Sequence, residues 1–148
     1  MRGRFVPVGT LVLAVLGLAV SIYLTIDHYS EATTLICPAN TSVDCAKVTE
    51  SPQSAFLGIP VAVLGVAYFV ALILLCLPAS WRAGRGVALG RLAVAGAGVA
   101  FVAWLVYAEI ALIGAICLWC TVVHVITVVI FLMLLFDWAG GVEEEAGD

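Results

Sequence analysis

Residues 89–136 read LGRLAVAGAGVAFVAWLVYAEIALIGAICLWCTVVHVITVVIFLMLLF, with Arg91 near the start and Glu109 near the middle as the only charged residues. One helix of this length would run about 70 Å, more than twice the roughly 30 Å hydrocarbon core of a bilayer. A carboxylate is costly at the bilayer centre and tolerable near an interface. Glu109 and Gly114 therefore mark a turn, placed near residues 110–115. The stretch divides into two spans, at approximately 89–110 and 115–138.

Two further apolar runs lie towards the N-terminus. The run from Phe56 to Leu77, between Glu50 and Arg82, predicts a span over approximately 57–78. Gly58-Ile59-Pro60 reads as its start, because proline fits the first turn of a helix, and Pro78 marks its exit. The run from Phe5 to Ile26 predicts a span over approximately 5–27. It is longer than the apolar region of a secretory signal, and no convincing small-residue cleavage site follows it, so it reads as a retained helix. Between these two runs, residues 28–56 form the one sizeable segment outside the spans. Loops longer than about 15 residues are usually functional. The expected fold is an all-α integral membrane bundle of four transmembrane helices, a single domain over residues 1–148.

Composition leads the same way. Of 148 residues, 64% are hydrophobic and 11% charged, too few polar groups to clothe a soluble domain. Much of the net charge of −4 sits in the tail Glu143, Glu144, Glu145 and Asp148, which reads as a short solvated end. No basic patch points to nucleic acid. With four spans, Arg2, Arg4, Arg82, Arg85 and Arg91 share one side and Lys47 lies on the other. The excess of arginine marks the cytoplasmic side. Both termini are then cytoplasmic, while the 28–56 loop and the turn before the last span face outward.

The chemistry lies in the cysteines, five in all. Cys37 and Cys45 fall in the outward loop. Cys117-Leu118-Trp119-Cys120 opens the last span on the same side. Cys76 lies alone near the cytoplasmic end of span two and reads as a small buried apolar residue. At a helix start, cysteines three apart share a face and can form a reversible disulfide. The helix N-terminus favours a thiolate there. A static disulfide or a metal site is the plainer alternative for such a motif. Two pairs on one surface favour disulfide exchange. His124 follows Cys120 by one helical turn and suits hydrogen bonding or proton transfer. Ser51 reads as a turn or cap residue or a loop-orienting one. Glu109 reads as an interfacial residue and a candidate for the outer end of a ligand pocket. Asp44 reads as a solvated loop residue, and His28 lies at the water boundary. Trp104, Trp119 and Trp138 suit membrane–water boundaries, and Trp119 also suits packing against the redox site.

With Cys37 and Cys45, Ser51, the Phe56-Leu57-Gly58-Ile59-Pro60 start of span two and Cys117-Leu118-Trp119-Cys120 in place, the chain resembles the vitamin K epoxide reductase family in its prokaryotic, stand-alone form. The resemblance implies a thiol:quinone oxidoreductase in the bacterial cell membrane. Its substrate would be a quinone, menaquinone or ubiquinone, held near the outer leaflet. Its catalytic residues would be Cys37, Cys45, Cys117 and Cys120. Cys120, His124, Ser51 and Glu109 would lie at the quinone, and no metal is expected. A partner thiolate would attack a Cys37–Cys45 disulfide at Cys37. Freed Cys45 would attack Cys117 and release Cys120 towards the quinone. Many bacterial relatives carry a fused thioredoxin-like domain. Here the electron donor would be a separate thioredoxin-fold protein that introduces disulfides. Animal relatives carry tyrosine where His124 stands, a departure that bears on their epoxide chemistry. Quinone-epoxide reduction and a cysteine-based membrane metal protein are the alternative functions.

Overall fold

A computed structural model of the chain describes residues 2–30, 36–37, 40 and 42–146, with side chains over 5–30, 36–37, 40 and 42–140. The side chains of Arg2, Arg4 and Glu143–Glu145, and all of Asp148, lie outside the described set.

The described elements are α1 (Arg2–Tyr29), α2 (Cys45–Thr49), a 3-10 turn (Pro52–Ser54), β1 (Ala55–Phe56), β2 (Ile59–Pro60), α3 (Val61–Cys76), a second 3-10 turn (Ser80–Arg82), α4 (Arg85–Tyr107), a π-helical extension (Ala108–Ile113) and α5 (Leu118–Ala146). Among the described residues, three helical segments are long and apolar enough to cross a membrane: Phe5–Tyr29, Arg85–Ile113 and Leu118–Gly140. The chain is a multi-pass membrane protein. The fourth apolar helix, Val61–Cys76, has 16 residues, or about 24 Å of rise.

That helix is shorter than the span expected over 57–78, for a physical reason. Leu57 (φ 53°) and Gly58 (φ 81°) both take left-handed backbone. Two such residues make the tight turn that joins antiparallel strands, and Ala55 pairs with Pro60 and Phe56 with Ile59. The apolar run thus begins as a hairpin and becomes helical only after Pro60. Apolarity alone does not distinguish the two.

The later boundaries also move. α4 begins at Arg85, directly after Gly84 at φ 88°. The turn expected at 110–115 falls later. Helix continues to Ile113 in π form and stops at left-handed Gly114. α5 runs on to Ala146, past the expected end at 138.

A buried core of Ala14, Phe69, Leu72, Ala95, Ile126, Ile130 and Leu134 joins all four long helices. Small residues set the close approaches, as is usual between helices in lipid. The Phe69 ring occupies the space beside Gly17, and the Ser21 hydroxyl sits over Gly65. Contacts are dense between α1 and α3 and sparse between α3 and α4. At the end of the bundle near Cys76, Arg91 is buried in α4 with its guanidinium 3.7 Å from the Trp81 ring centroid. The Trp81 indole donates to the Cys76 carbonyl at 3.0 Å. Arg91 therefore lies inside the helix and folds back towards the α3–α4 connection.

Candidate functional site

The loop cysteines are bonded to each other: Cys37 and Cys45 form a disulfide. Cys117, Cys120 and Cys76 are free thiols. Within the loop pair the two sulfurs differ in access. Cys37 is half-buried, whereas Cys45 is 1% exposed.

Several local devices fix the loop against α1 and α5. Asn40 makes an Asx turn, its side-chain oxygen accepting from the N–H groups of Ser42 (3.0 Å) and Val43 (2.9 Å). Val43 then bridges Ile116 in parallel. Ile116 donates to the Ser42 carbonyl at 3.0 Å, and Asp44 donates to the Ile116 carbonyl at 3.1 Å. Asp44 also caps α2, accepting from the Lys47 N–H at 3.0 Å. It is a helix cap and not merely a solvated residue. Ahead of Cys37, the Ile36 N–H donates to the Tyr23 hydroxyl (3.2 Å), and the Ile36 carbonyl accepts from the Trp119 indole (3.1 Å). The Tyr23 and Trp119 rings meet edge to face at 5.2 Å. Trp119 thus packs at the redox site.

These ties bring the two cysteine pairs together. Cys45, Val48, Ala115 and Cys117 form one buried cluster, with Cys37, Trp119 and Cys120 packed against it. Cys117 sits in the turn just before α5. Its sulfur accepts from the Cys120 N–H at 3.3 Å. A hydrogen bond from the Cys120 thiol, aided by the backbone N–H groups of Cys120 and Trp119, lowers the Cys117 pKa below the usual thiol range against opposition from burial and Glu109.

A depressed pKa means that the thiolate persists as pH falls below the ordinary thiol range. With Cys37–Cys45 closed, ultraviolet thiolate absorbance assigned by difference to Cys117→Ala should titrate below that of a free thiol. Cys120→Ala should move it upward. Identical titrations in the wild type and Cys120→Ala would remove Cys120 as the cause.

Cys120 borders a cavity of about 420 Å³ enclosed by α1, α3, α4, α5 and the 3-10 turn. Ser51, Glu109 and His124 also line it, so the four residues expected at a quinone share one chamber. The walls are mostly apolar, with a few polar groups, as small-molecule sites generally are. Phe56 of the hairpin lines the chamber beside Phe101, ring to ring at 5.6 Å. Ser51 also holds its turn, donating to the Val48 carbonyl at 2.7 Å and accepting from Ser54. Glu109 is 6% exposed and lines the chamber. The π-helical turn carries it into the wall, its carbonyl accepting from the Gly114 and Ala115 N–H groups. Such turns often occur at functional sites. Gln53, Tyr68, Thr127 and His28 also line the chamber. Sequence reading did not place them there, because each is a lone residue without a motif.

The site is therefore a disulfide beside a dithiol, with Cys120 bordering an apolar chamber. The family model described as the vitamin K epoxide reductase family matches residues 9–135, and the chain belongs to that family. It is an oxidoreductase family whose members use cysteine redox chemistry on quinones or quinone epoxides. A comparison with curated proteins returned no match.

Proposed function

We propose that this protein oxidises a separate thioredoxin-fold partner and passes the electrons to a quinone, menaquinone or ubiquinone. The observation that carries this reading is the order of the sulfurs. Cys37 is accessible, Cys45 and Cys117 share a buried cluster, and Cys120 borders the chamber.

The steps balance as thiol–disulfide exchange. A partner thiolate attacks Cys37, breaking Cys37–Cys45 and freeing the Cys45 thiolate. The partner's second thiol displaces Cys37, and the partner leaves as a disulfide. Cys45 attacks Cys117, breaking a Cys117–Cys120 disulfide. Cys37 then attacks Cys45, re-forms the loop disulfide and releases Cys117. The low pKa of Cys117 makes it a good leaving group. Cys117 and Cys120 now hold two electrons and two protons. Their transfer gives quinol and re-forms Cys117–Cys120. A closed loop pair beside two free thiols is the state just before that transfer.

The proposed topology is a four-span bundle, with α3 and its flanking hairpin as the second span. Both termini lie in the cytoplasm of a bacterial cell and the cysteine pairs lie outside. Impermeant thiol labelling of reduced, intact spheroplasts should reach Cys37. Labelling only after permeabilisation would reverse the orientation.

Purified protein supplied with a reduced thioredoxin-fold protein and a quinone should form one partner disulfide per quinol. With a chemical dithiol, a quinone should turn over and a quinone epoxide should not. Turnover of the epoxide would favour the alternative substrate. Among the described residues no three His, Cys, Asp or Glu side chains converge on one point, so no observation favours the metal reading.

A further inference from the structure

Tyr68 projects from α3 into the same chamber. Its hydroxyl oxygen is buried and has no hydrogen-bond partner among the described residues. Thr127 lies close enough to influence it. The Thr127 hydroxyl donates to the Val123 carbonyl at 2.9 Å, and by geometry no hydrogen bond joins it to the phenol. An orphaned donor inside a protein is costly. Such a group marks a place where a ligand atom supplies the missing partner.

The fold also makes room for the phenol. A Cβ at Gly98 of α4 would collide with the Tyr68 oxygen and the adjoining ring carbons. The Phe69 ring meets the phenol edge to face, centroid to centroid at 5.0 Å. Gly98 thus supplies space that the phenol fills, and the hydroxyl is held where it meets no acceptor among the described residues. Along α5, Cys120, His124 and Thr127 follow one another at helical spacing and all line the chamber. Tyr68 sits by Thr127, at the end of this row away from Cys120.

We propose that the Tyr68 hydroxyl donates a hydrogen bond to the quinone carbonyl remote from Cys120, and that Gly98 is the residue that permits it. This rests on the quinone reading above. Tyr68 is a positioning residue here. It fixes the ring by its far oxygen, so that the near edge faces the Cys120 sulfur. No electron or proton passes through it.

The test uses full-length detergent-purified protein, a chemical dithiol and menadione as the probe. Tyr68→Phe keeps the ring, its packing on Phe69 and the space over Gly98. It should raise KM for menadione about two- to tenfold, the effect of one lost neutral hydrogen bond, with kcat changed much less. Bound menadione labelled at its carbonyls should show a lowered stretching frequency for one carbonyl in the wild type, lost in Tyr68→Phe. Gly98→Ala, which displaces the phenol, should raise KM in the same way. An unchanged KM and an unchanged carbonyl spectrum in Tyr68→Phe would overturn the proposal while wild-type turnover stands. Absence of menadione turnover in the wild type would instead overturn the quinone reading itself.

Discussion

Cys45→Ala should reduce partner-driven quinone reduction to background. Cys45 is the buried half of the loop disulfide and shares a cluster with Cys117. Cys37 is the less buried sulfur of the pair and the one proposed to meet the partner. Without Cys45, the partner's electrons stop at Cys37, because no thiolate is delivered to the second pair. A small dithiol is not bound by that route. It reaches Cys117–Cys120 directly, and dithiol-driven quinone reduction should persist in the variant. The measurement is steady-state quinol formation with each donor. Normal partner-driven turnover in Cys45→Ala would exclude a relay through both pairs.

Cys120→Ala should abolish quinone reduction by either donor. Cys120 is the relay cysteine that lines the chamber, and its loss leaves Cys117 with no disulfide to form there. His124, one turn further along α5, lines the chamber as well and is 7% exposed. Its replacement removes one hydrogen-bonding group and leaves the sulfurs intact. His124→Ala should therefore weaken quinone binding or slow turnover by about twofold to a hundredfold, the range of one neutral or charge-assisted hydrogen bond. Loop-disulfide exchange should survive. Rates and quinone affinity across pH 5.5–8.5 decide the matter. If neither moves in His124→Ala, the imidazole has a packing role only.

Much of this site is legible in the amino-acid order alone. The cysteine spacings mark two pairs that the fold packs together, and helical periodicity leads from Cys120 to His124. Turn chemistry is less legible. Leu57 is an ordinary apolar residue in left-handed backbone at a hairpin tip, and nothing in an apolar run announces that. Glu109 carries a charge, which favours an interface. The π-helical turn that buries it depends on Gly114 ending the helix five residues later. The clasp of Ile36 between Tyr23 and Trp119 joins residues 13 and 83 positions apart. Such pairings arise from packing, and no local pattern encodes them. Tyr68 is hidden for the same reason: its significance comes from the glycine opposite it on α4.

The transfer from Cys45 to Cys117 is the step on which the whole relay depends. It can be caught by removing the two flanking thiols. A protein carrying Cys37→Ser and Cys120→Ser leaves Cys45 and Cys117 without their usual partners. After mild oxidation in detergent, mass spectrometry of its peptides should find a Cys45–Cys117 disulfide as the main cross-link. Recovery of both cysteines as free thiols, or pairing of either with Cys76 instead, would contradict electron transfer between the two pairs.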